Sequence, residues 1–526
     1  MKTEWWKSGV IYQIYPRSFQ DTNGDGIGDL NGITERLPYL QDLGIDAIWI
    51  SPFYPSPMKD FGYDVADYTG IDPMFGDLAD FDRLVREAHA RDIKVILDFV
   101  PNHSSDQHVW FRESRSSREN PKRDWYIWRD PKADGSPPNN WISDFGGPAW
   151  TLDPATGQYY SHAFLKEQPD LNWRNPKVRL EMYDAMRIWL NRGVDGFRLD
   201  VLWHVIKAED FRDNPVNPDY RPEMGEMHKV LQLNSTDQPE ALEVAREMRA
   251  LTDRFEDRVL IGEIYLPFEK LVKYYGHPRD GGQFDGVHLP FNFTLIEAEW
   301  RADNIYELIE EYEDSLPDGA WPNWVLGNHD RPRIATRTSL AQARVAAVLL
   351  LTLRGTPTMY YGDELGLRDV AIPADKVVDP RELREPGKGL GRDPVRSPMP
   401  WTPKGGFTTG SPWLPMNFDR AVVNVETESD DDGSMLNFYK LLLAIRRNHP
   451  SLTVGSIALE PLQGDVLIYR REHGNEKIRV ALNFSNQEQI VQLKGDRMIF
   501  STHMSAPHIT RDTVTLRSNE AVIIEA

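Results

Sequence analysis

The chain contains no cysteine. Disulfides, thiolate nucleophiles, zinc–thiolate centres and iron–sulfur clusters are excluded together, and stability has to come from packing. Long hydrophobic runs are also missing. The longest, residues 345–351, is far shorter than the roughly 18 apolar residues of a membrane span. The opening MKTEWWKSGV scatters charges among its apolar residues and has no signal-like core. Both absences point to a cytoplasmic protein without a membrane partner. Positive charge is scarce: 60 Lys and Arg face 81 Asp and Glu, a net charge of −21. A nucleic acid or an anionic lipid surface would have to approach against the field of the whole molecule, so neither is expected as a partner. No repeat of fixed period occurs, and the single acidic run, residues 429–432, fits a solvated loop.

What is present suffices for a large folded protein. The 526 residues allow about three or four folding units, fewer if one is a large barrel. Hydrophobic residues at 40% and charged residues at 27% exclude global disorder. Short β-branched runs at 9–16, 46–52, 94–100, 195–200, 259–264, 286–289, 323–330 and 356–362 alternate with helical patterns at 29–43, 78–91, 176–192, 239–255, 303–312, 340–354 and 436–448. In the second helix Phe81, Leu84, Val85 and Ala88 share one face. Eight strand–helix units predict an α/β fold closed into a (β/α)8 barrel, spanning residues 1–103 and 176–450. Residues 104–175, rich in Trp, Pro, Asp and Arg and without helical periodicity, read as a small domain inserted after the third strand. Residues 369–432 read as a long loop subdomain over the same face. From 451 to 526 short alternating strands predict a separate antiparallel β-sandwich.

Barrel enzymes carry their chemistry at the C-terminal ends of the strands. The third run ends DFVPNH, with Asp98, Asn102 and His103; the fourth FRLD, with Arg198 and Asp200; the fifth GEI, with Glu263; the seventh GNHD, with Asn328, His329 and Asp330. Carboxylates converging beside aromatics suggest glycoside hydrolysis, in which one carboxylate attacks the anomeric carbon and another protonates the leaving oxygen. Metal-assisted hydrolysis competes with this reading, since Asp and His also bind divalent cations.

The segments DFVPNHS, GFRLDVLWH, IGEIY and VLGNHD resemble, in order and spacing, the four signature segments of the α-amylase superfamily (glycoside hydrolase family 13). YQIYPRSFQDTNGDGIGDLNGI, GIDAIWISPFYPSP, FGYDVADY, QPDLNW, GTPTMYYGDELG and GRDPVRSPMPW agree, and the nearest branch is that of oligo-1,6-glucosidases and α-glucosidases. The resemblance implies that Asp200 is the nucleophile, Glu263 the general acid/base and Asp330 the third carboxylate, with His103 and His329 binding sugar hydroxyls. It implies that Asp60, Tyr63 and Arg392 close the pocket around a nonreducing glucose and that Phe145 and Phe164 line its entrance. Arg198, two residues before Asp200 on one strand face, is expected to hold the Asp200 pKa down. Val201 resembles the residue of oligo-1,6-glucosidases, where α-1,4-specific maltases have Thr. Arg331 departs from the neutral amide of many relatives.

Asp21, Asn23, Asp25, the Ile27 carbonyl and Asp29 have the alternating oxygen spacing of a cation loop. An EF-hand is excluded because its twelfth position is Gly32 and a strand pattern precedes it. The resemblance implies a structural Ca2+ or Mg2+, with no organic cofactor. The expected activity is that of a retaining exo-acting α-glucosidase on short α-1,6- or α-1,4-glucosides, working as a monomer or homodimer. A transglucosylase or disaccharide isomerase would use the same three carboxylates. A non-catalytic transporter-associated subunit would need a membrane anchor.

Overall fold

A computed structural model describes residues 4–525 except 494, 496, 504, 506, 507, 510 and 511. Residues 1–3 and 526, inside the expected domain limits, lie outside the described residues. The parallel strands are β1 (Ile11–Ile14), β2 (Ala47–Ile50), β3 (Lys94–Phe99), β7 (Gly196–Leu199), β8 (Val259–Glu263), β9 (Leu289–Phe291), β10 (Asn323–Val325) and β11 (Thr356–Tyr360). They pair in the order β10-β11-β1-β2-β3-β7-β8-β9, and the parallel bridge Asn292↔Trp324 closes the ring. Alternation along each strand builds two cores. Ile11, Ala47, Trp49, Ile96, Val259, Ile261, Leu289, Phe291 and Val325 pack inside the barrel, while Tyr12, Ile14, Ile48, Ile50, Val95, Leu97 and Leu260 face the outer helices.

The helices follow their sequence signals. Asp77 and Asp80 form a capping box on helix Leu78–His89, whose buried face is Phe81, Leu84, Val85 and Ala88. Asp29 caps helix Leu30–Leu43, which ends at Gly44 in the left-handed region (φ 92°). Two strand limits shift. The sixth run was expected to stop before Pro290, but the strand runs through it at Leu289–Phe291, paired with β8; a proline removes only one ladder donor. The seventh strand ends at Val325, and Asn328 to Asp330 lie in the following loop, where Asn328 pairs with Arg331.

Between β3 and β7 the inserted domain holds β4 (Trp128–Arg129), β5 (Trp150–Asp153) and β6 (Gln158–Ser161) in the order β4-β6-β5. It also contains helix Val109–Ser116, contrary to the expectation of no helical segment. Eight residues are too few to show a clear period; His108 caps the helix and Phe111 is buried.

Beyond the barrel, β12 (Ser456–Gln463), β13 (Val466–His473), β14 (Glu476–Asn483), β15 (Gln489–Gln492), β16 (Arg497–Ser501), β17 (His508–Ile509), β18 (Thr513–Leu516) and β19 (Ala521–Glu525) form two antiparallel sheets, β12-β13-β14-β19-β16 and β15-β18-β17. They enclose Val466, Ile468, Ala481, Val491, Val514 and Val522. Two buried arginines join this domain to the barrel. Arg446 donates to the carbonyls of Leu351, Leu452 and Gly355, each at 2.9 Å. Arg471 donates to Thr352, to Leu452 at 3.2 Å, and to Gly455 and Ser456 at 3.0 Å. Leu351 and Thr352 are the last residues of helix Leu340–Thr352, whose unpaired carbonyls carry partial negative charge.

Replacing Arg446 with Met is expected to leave those carbonyls buried without donors and to lower unfolding free energy by on the order of 3 kcal/mol. Urea denaturation measures this. Arg447→Met, at a neighbouring exposed arginine, should change it little, and an unchanged midpoint for Arg446→Met would show that Arg446 only fills space.

Candidate active site

The C-terminal ends of the strands open into a pocket of about 420 Å3. Asp60, Tyr63, His103, Phe145, Phe164, Asp200, Val201, Glu263, His329, Asp330 and Arg392 all line it. Its roof is laced from three segments: Arg384 donates to the Phe145 carbonyl at 3.1 Å, Gly147 N–H to Glu226 at 2.9 Å, and Glu226 N–H to Glu385 at 2.9 Å.

Arg198 is fully buried beneath the floor and holds three carboxylates. Its Nη1 lies 2.8 Å from Asp98 and 2.6 Å from Asp200, and its Nη2 lies 2.7 Å from Glu263. Asp98 also accepts from Trp49 Nε1 at 3.2 Å and Tyr63 Oη at 3.0 Å. The sequence expectation for Asp200 is corrected here. Burial raises its pKa well above the ordinary carboxylate value, Arg198 opposes this, and Glu263 and Asp98 push it further up. One guanidinium shared by three carboxylates offsets only part of that burial. Glu263 is likewise raised by burial, against the pull of Arg198 and a backbone donor. Both carboxyls are thus shifted toward their protonated forms.

That backbone donor is Val201 N–H, 2.8 Å from Glu263 Oε2. Val201 reaches it from the left-handed region, φ 37° and ψ 47°, a conformation that costs an L-residue roughly 1–2 kcal/mol and is rarer still for a β-branched one. The strand thus turns sharply just after Asp200 and aims an amide at the second carboxylate. Residue spacing gives no sign of this turn.

The far end of the pocket is closed. Arg392 Nη2 bridges Asp60 at 2.7 Å and Asp379 at 2.6 Å. Gln168 donates to Asp60 at 3.2 Å and contacts His103 Nε2 at 3.1 Å. Tyr63 stacks on His329 with centroids 5.3 Å apart and planes 4° from parallel. Gln13 Nε2 donates to His329 Nδ1 at 2.7 Å, which puts the ring proton on Nε2, 3.2 Å from Asp330. Burial keeps His329 neutral with its pKa near 3, and His103 near 4. Burial acts to raise Asp330, but His329, Arg392 and Arg396 outweigh it and hold the carboxyl far below its usual value; Arg396 Nη2 is 2.9 Å away. Asp379, Arg396 and Gln168 were not singled out from the sequence. Arg396 stands in the quoted GRDPVRSPMPW segment and Gln168 opens the quoted QPDLNW segment, whereas Asp379 has no local signal.

The candidate cation loop lies apart, on the loop containing Phe407 and Thr408. Asp21 accepts from the N–H groups of Asn23 (2.9 Å), Gly24 (2.8 Å) and Gly26 (2.9 Å) and from Thr408. Asn23 accepts from Asp25 N–H and Asp25 from Ile27 N–H, both at 2.8 Å. Asp29 takes Thr22 N–H at 2.8 Å and Gly32 N–H at 2.7 Å. A side chain at Gly32 would meet the Gln20 carbonyl at 2.1 Å, which explains why no ligating residue stands there. Among the described residues no three Asp, Glu, His or Cys side chains converge as a metal site; a cation here would need the Asn23 amide and the Ile27 carbonyl as well as the carboxylates.

The alpha amylase catalytic domain family matches residues 13–455. A probable alpha-glucosidase of Rhizobium meliloti (strain 1021) is 42% identical over 94% of this chain and 92% of that protein. An oligo-1,6-glucosidase of Heyndrickxia coagulans is 40% identical over 92% of each. The crystal structure of an alpha-glucosyl transfer enzyme, XgtA, aligns with a TM-score of 0.95 at 40% identity over the whole of both chains. A likeness that extends through barrel, insert and C-terminal sheets alike makes this chain a member of the alpha-amylase family, glycoside hydrolase family 13.

Proposed function

We propose that the chain is a retaining exo-acting α-glucosidase that releases α-glucose from the nonreducing end of short α-glucosides. The observation that carries this is the closed end of the pocket: the Asp60–Arg392 pair at 2.7 Å walls off one glucose unit, with Asp200, Glu263 and Asp330 on the same surface. A wall there excludes a chain that continues past its first sugar. Asp200 attacks the anomeric carbon while Glu263 gives its proton to the departing oxygen. Water then attacks the glucosyl-enzyme, Glu263 takes its proton, and α-glucose leaves with Asp200 restored. Two carboxylates on one guanidinium suit the roughly 5 to 5.5 Å span of this double displacement. Asp330, held ionised, and neutral His329 and His103 offer hydrogen bonds to ring hydroxyls, and Tyr63 offers its face to the ring. A cytoplasmic location belongs to the same proposal; separately, no helix among the described residues is long and apolar enough to cross a membrane. Transfer of the glucosyl group to a sugar acceptor is the second reading, supported by the similarity to an alpha-glucosyl transfer enzyme.

Asp200→Asn and Glu263→Gln are each expected to lower kcat by at least about 1,000-fold with an unchanged circular dichroism spectrum. NMR of the first product should show α-glucose; early β-glucose, or near-normal turnover in either variant, contradicts the assignment.

Val201 supports an α-1,6 preference. Thr and Val are both β-branched, so Val201→Thr leaves the strained turn as it is and changes only polarity beside Asp200. Isomaltose should be cleaved at least as well as maltose, and Val201→Thr should shift the kcat/KM ratio toward maltose by roughly tenfold, the worth of one hydrogen bond. Strict maltose specificity with an unmoved ratio rejects this role.

The loop of Asp21, Asn23, Asp25, Ile27 and Asp29 is proposed to take a structural Ca2+ or Mg2+ on the lone pairs left after its internal hydrogen bonds. Chelation should then lower the melting temperature more than the initial rate at moderate temperature. A melting temperature indifferent to chelator and added cation would leave the loop to its own backbone donors.

A further inference from the structure

The outer half of the pocket holds a guanidinium with no ion-pair partner within contact distance among the described residues. Arg198, Arg392 and Arg396 are each tied to carboxylates of the closed end or the floor. Arg331, at the mouth, pairs with Glu297 at 2.6 Å, where both side chains are solvent-accessible. Arg381 differs. Its guanidinium finds only the Met227 thioether, Nη2 to Sδ 3.8 Å, and its Nε is buried with no partner among the described residues. Burial depresses its pKa, and the charges of Arg392 and Arg331 add to the effect, with Asp144 and Asp330 opposing. Leaving such a group unpaired costs free energy that a partner would recover.

Arg381 and Arg331 stand where the pocket meets an adjoining cavity of about 330 Å3; both line both spaces. Leu390 also borders both, and Ile372, Val377, Pro394 and Val395 line the adjoining cavity. A glucose bound against Asp60 and Arg392 would direct its leaving group toward this junction. The chain as a whole carries −21, and Asp330 lines both spaces beside the two arginines, so an anion would be held here by direct hydrogen bonds to the guanidiniums and not by the surrounding field.

Resting on the α-glucosidase reading, we infer that the junction of Arg331 and Arg381 selects α-glucosides whose leaving group carries an anion, a carboxylate or a phosphate. The anion would sit between the two guanidiniums and complete the hydrogen bonding that Arg381 lacks. Beyond them the apolar side chains of the adjoining cavity, which Asp369, Glu382 and Asp393 also line, would take the body of the aglycone.

The test compares 4-carboxyphenyl α-glucoside with its neutral isostere, 4-carbamoylphenyl α-glucoside, and an α-linked diglucoside phosphorylated on its reducing-end 6-hydroxyl with the unphosphorylated disaccharide. The wild type should favour the anionic member of at least one pair by roughly tenfold or more in kcat/KM, as a site built for a charged hydrogen-bonding group does. The pair that responds identifies carboxylate or phosphate as the source. Arg381→Gln should bring that ratio close to one whatever the absolute rates, and Arg381→Lys should restore part of it. Ratios of one or below in both pairs, or a preference that survives Arg381→Gln, overturn the inference. Absence of turnover on all four compounds would instead overturn the α-glucosidase reading beneath it.

Discussion

Everything at the floor of this pocket depends on one buried cation. Arg198 touches Asp98, Asp200 and Glu263 together, and its charge has to be divided among them. Divided, it offsets only part of the burial that raises the pKa of each carboxylate. Asp98, one strand away on β3, takes part of the charge and fixes Trp49 and Tyr63 through its own hydrogen bonds. The floor and the stacking wall are therefore one network, extending through Tyr63 to His329, Gln13 and Asp330.

The two ends of the pocket obey opposite rules. At the closed end every cation has its anion: Arg392 between Asp60 and Asp379, Arg396 on Asp330. Such pairing fixes shape, because the partners cannot reorient without exposing a buried charge. At the open end Arg381 has no ion-pair partner within contact distance among the described residues, and Arg331 pairs with an accessible glutamate and lies over the Tyr265 ring. A site that fixes one sugar and leaves its exit adaptable matches an enzyme that recognises glucose strictly and its aglycone by charge.

Much of this was legible because barrel chemistry lies at strand ends and strands end where short apolar runs end. Asp200, Glu263 and the two histidines follow from that rule alone, and their segments carry the family resemblance as well. The helices were equally readable from their apolar spacing, as with Phe81, Leu84, Val85 and Ala88 on one face. The rule gave less where local pattern was short or ambiguous. Pro290 looked like a stop and is inside a strand; the eight residues of helix Val109–Ser116 were too few to show a period.

By itself, then, the sequence determined the barrel, the insert, the C-terminal sheets and the residues whose chemistry matters, because periodicity, capping and strand ends are local properties. It also excluded thiol chemistry outright. Only the tertiary structure decided how charge is shared. Arg198 and Asp200 are two residues apart, which suggested a simple pair, but Asp98 and Glu263 come to the same guanidinium from two other strands. The strain at Val201, the Asp379 and Gln168 supports of the closed end and the unpaired state of Arg381 are of the same kind. Each depends on burial and on partners far along the chain, and electrostatics in a buried site is set by whatever the fold brings within a few ångströms.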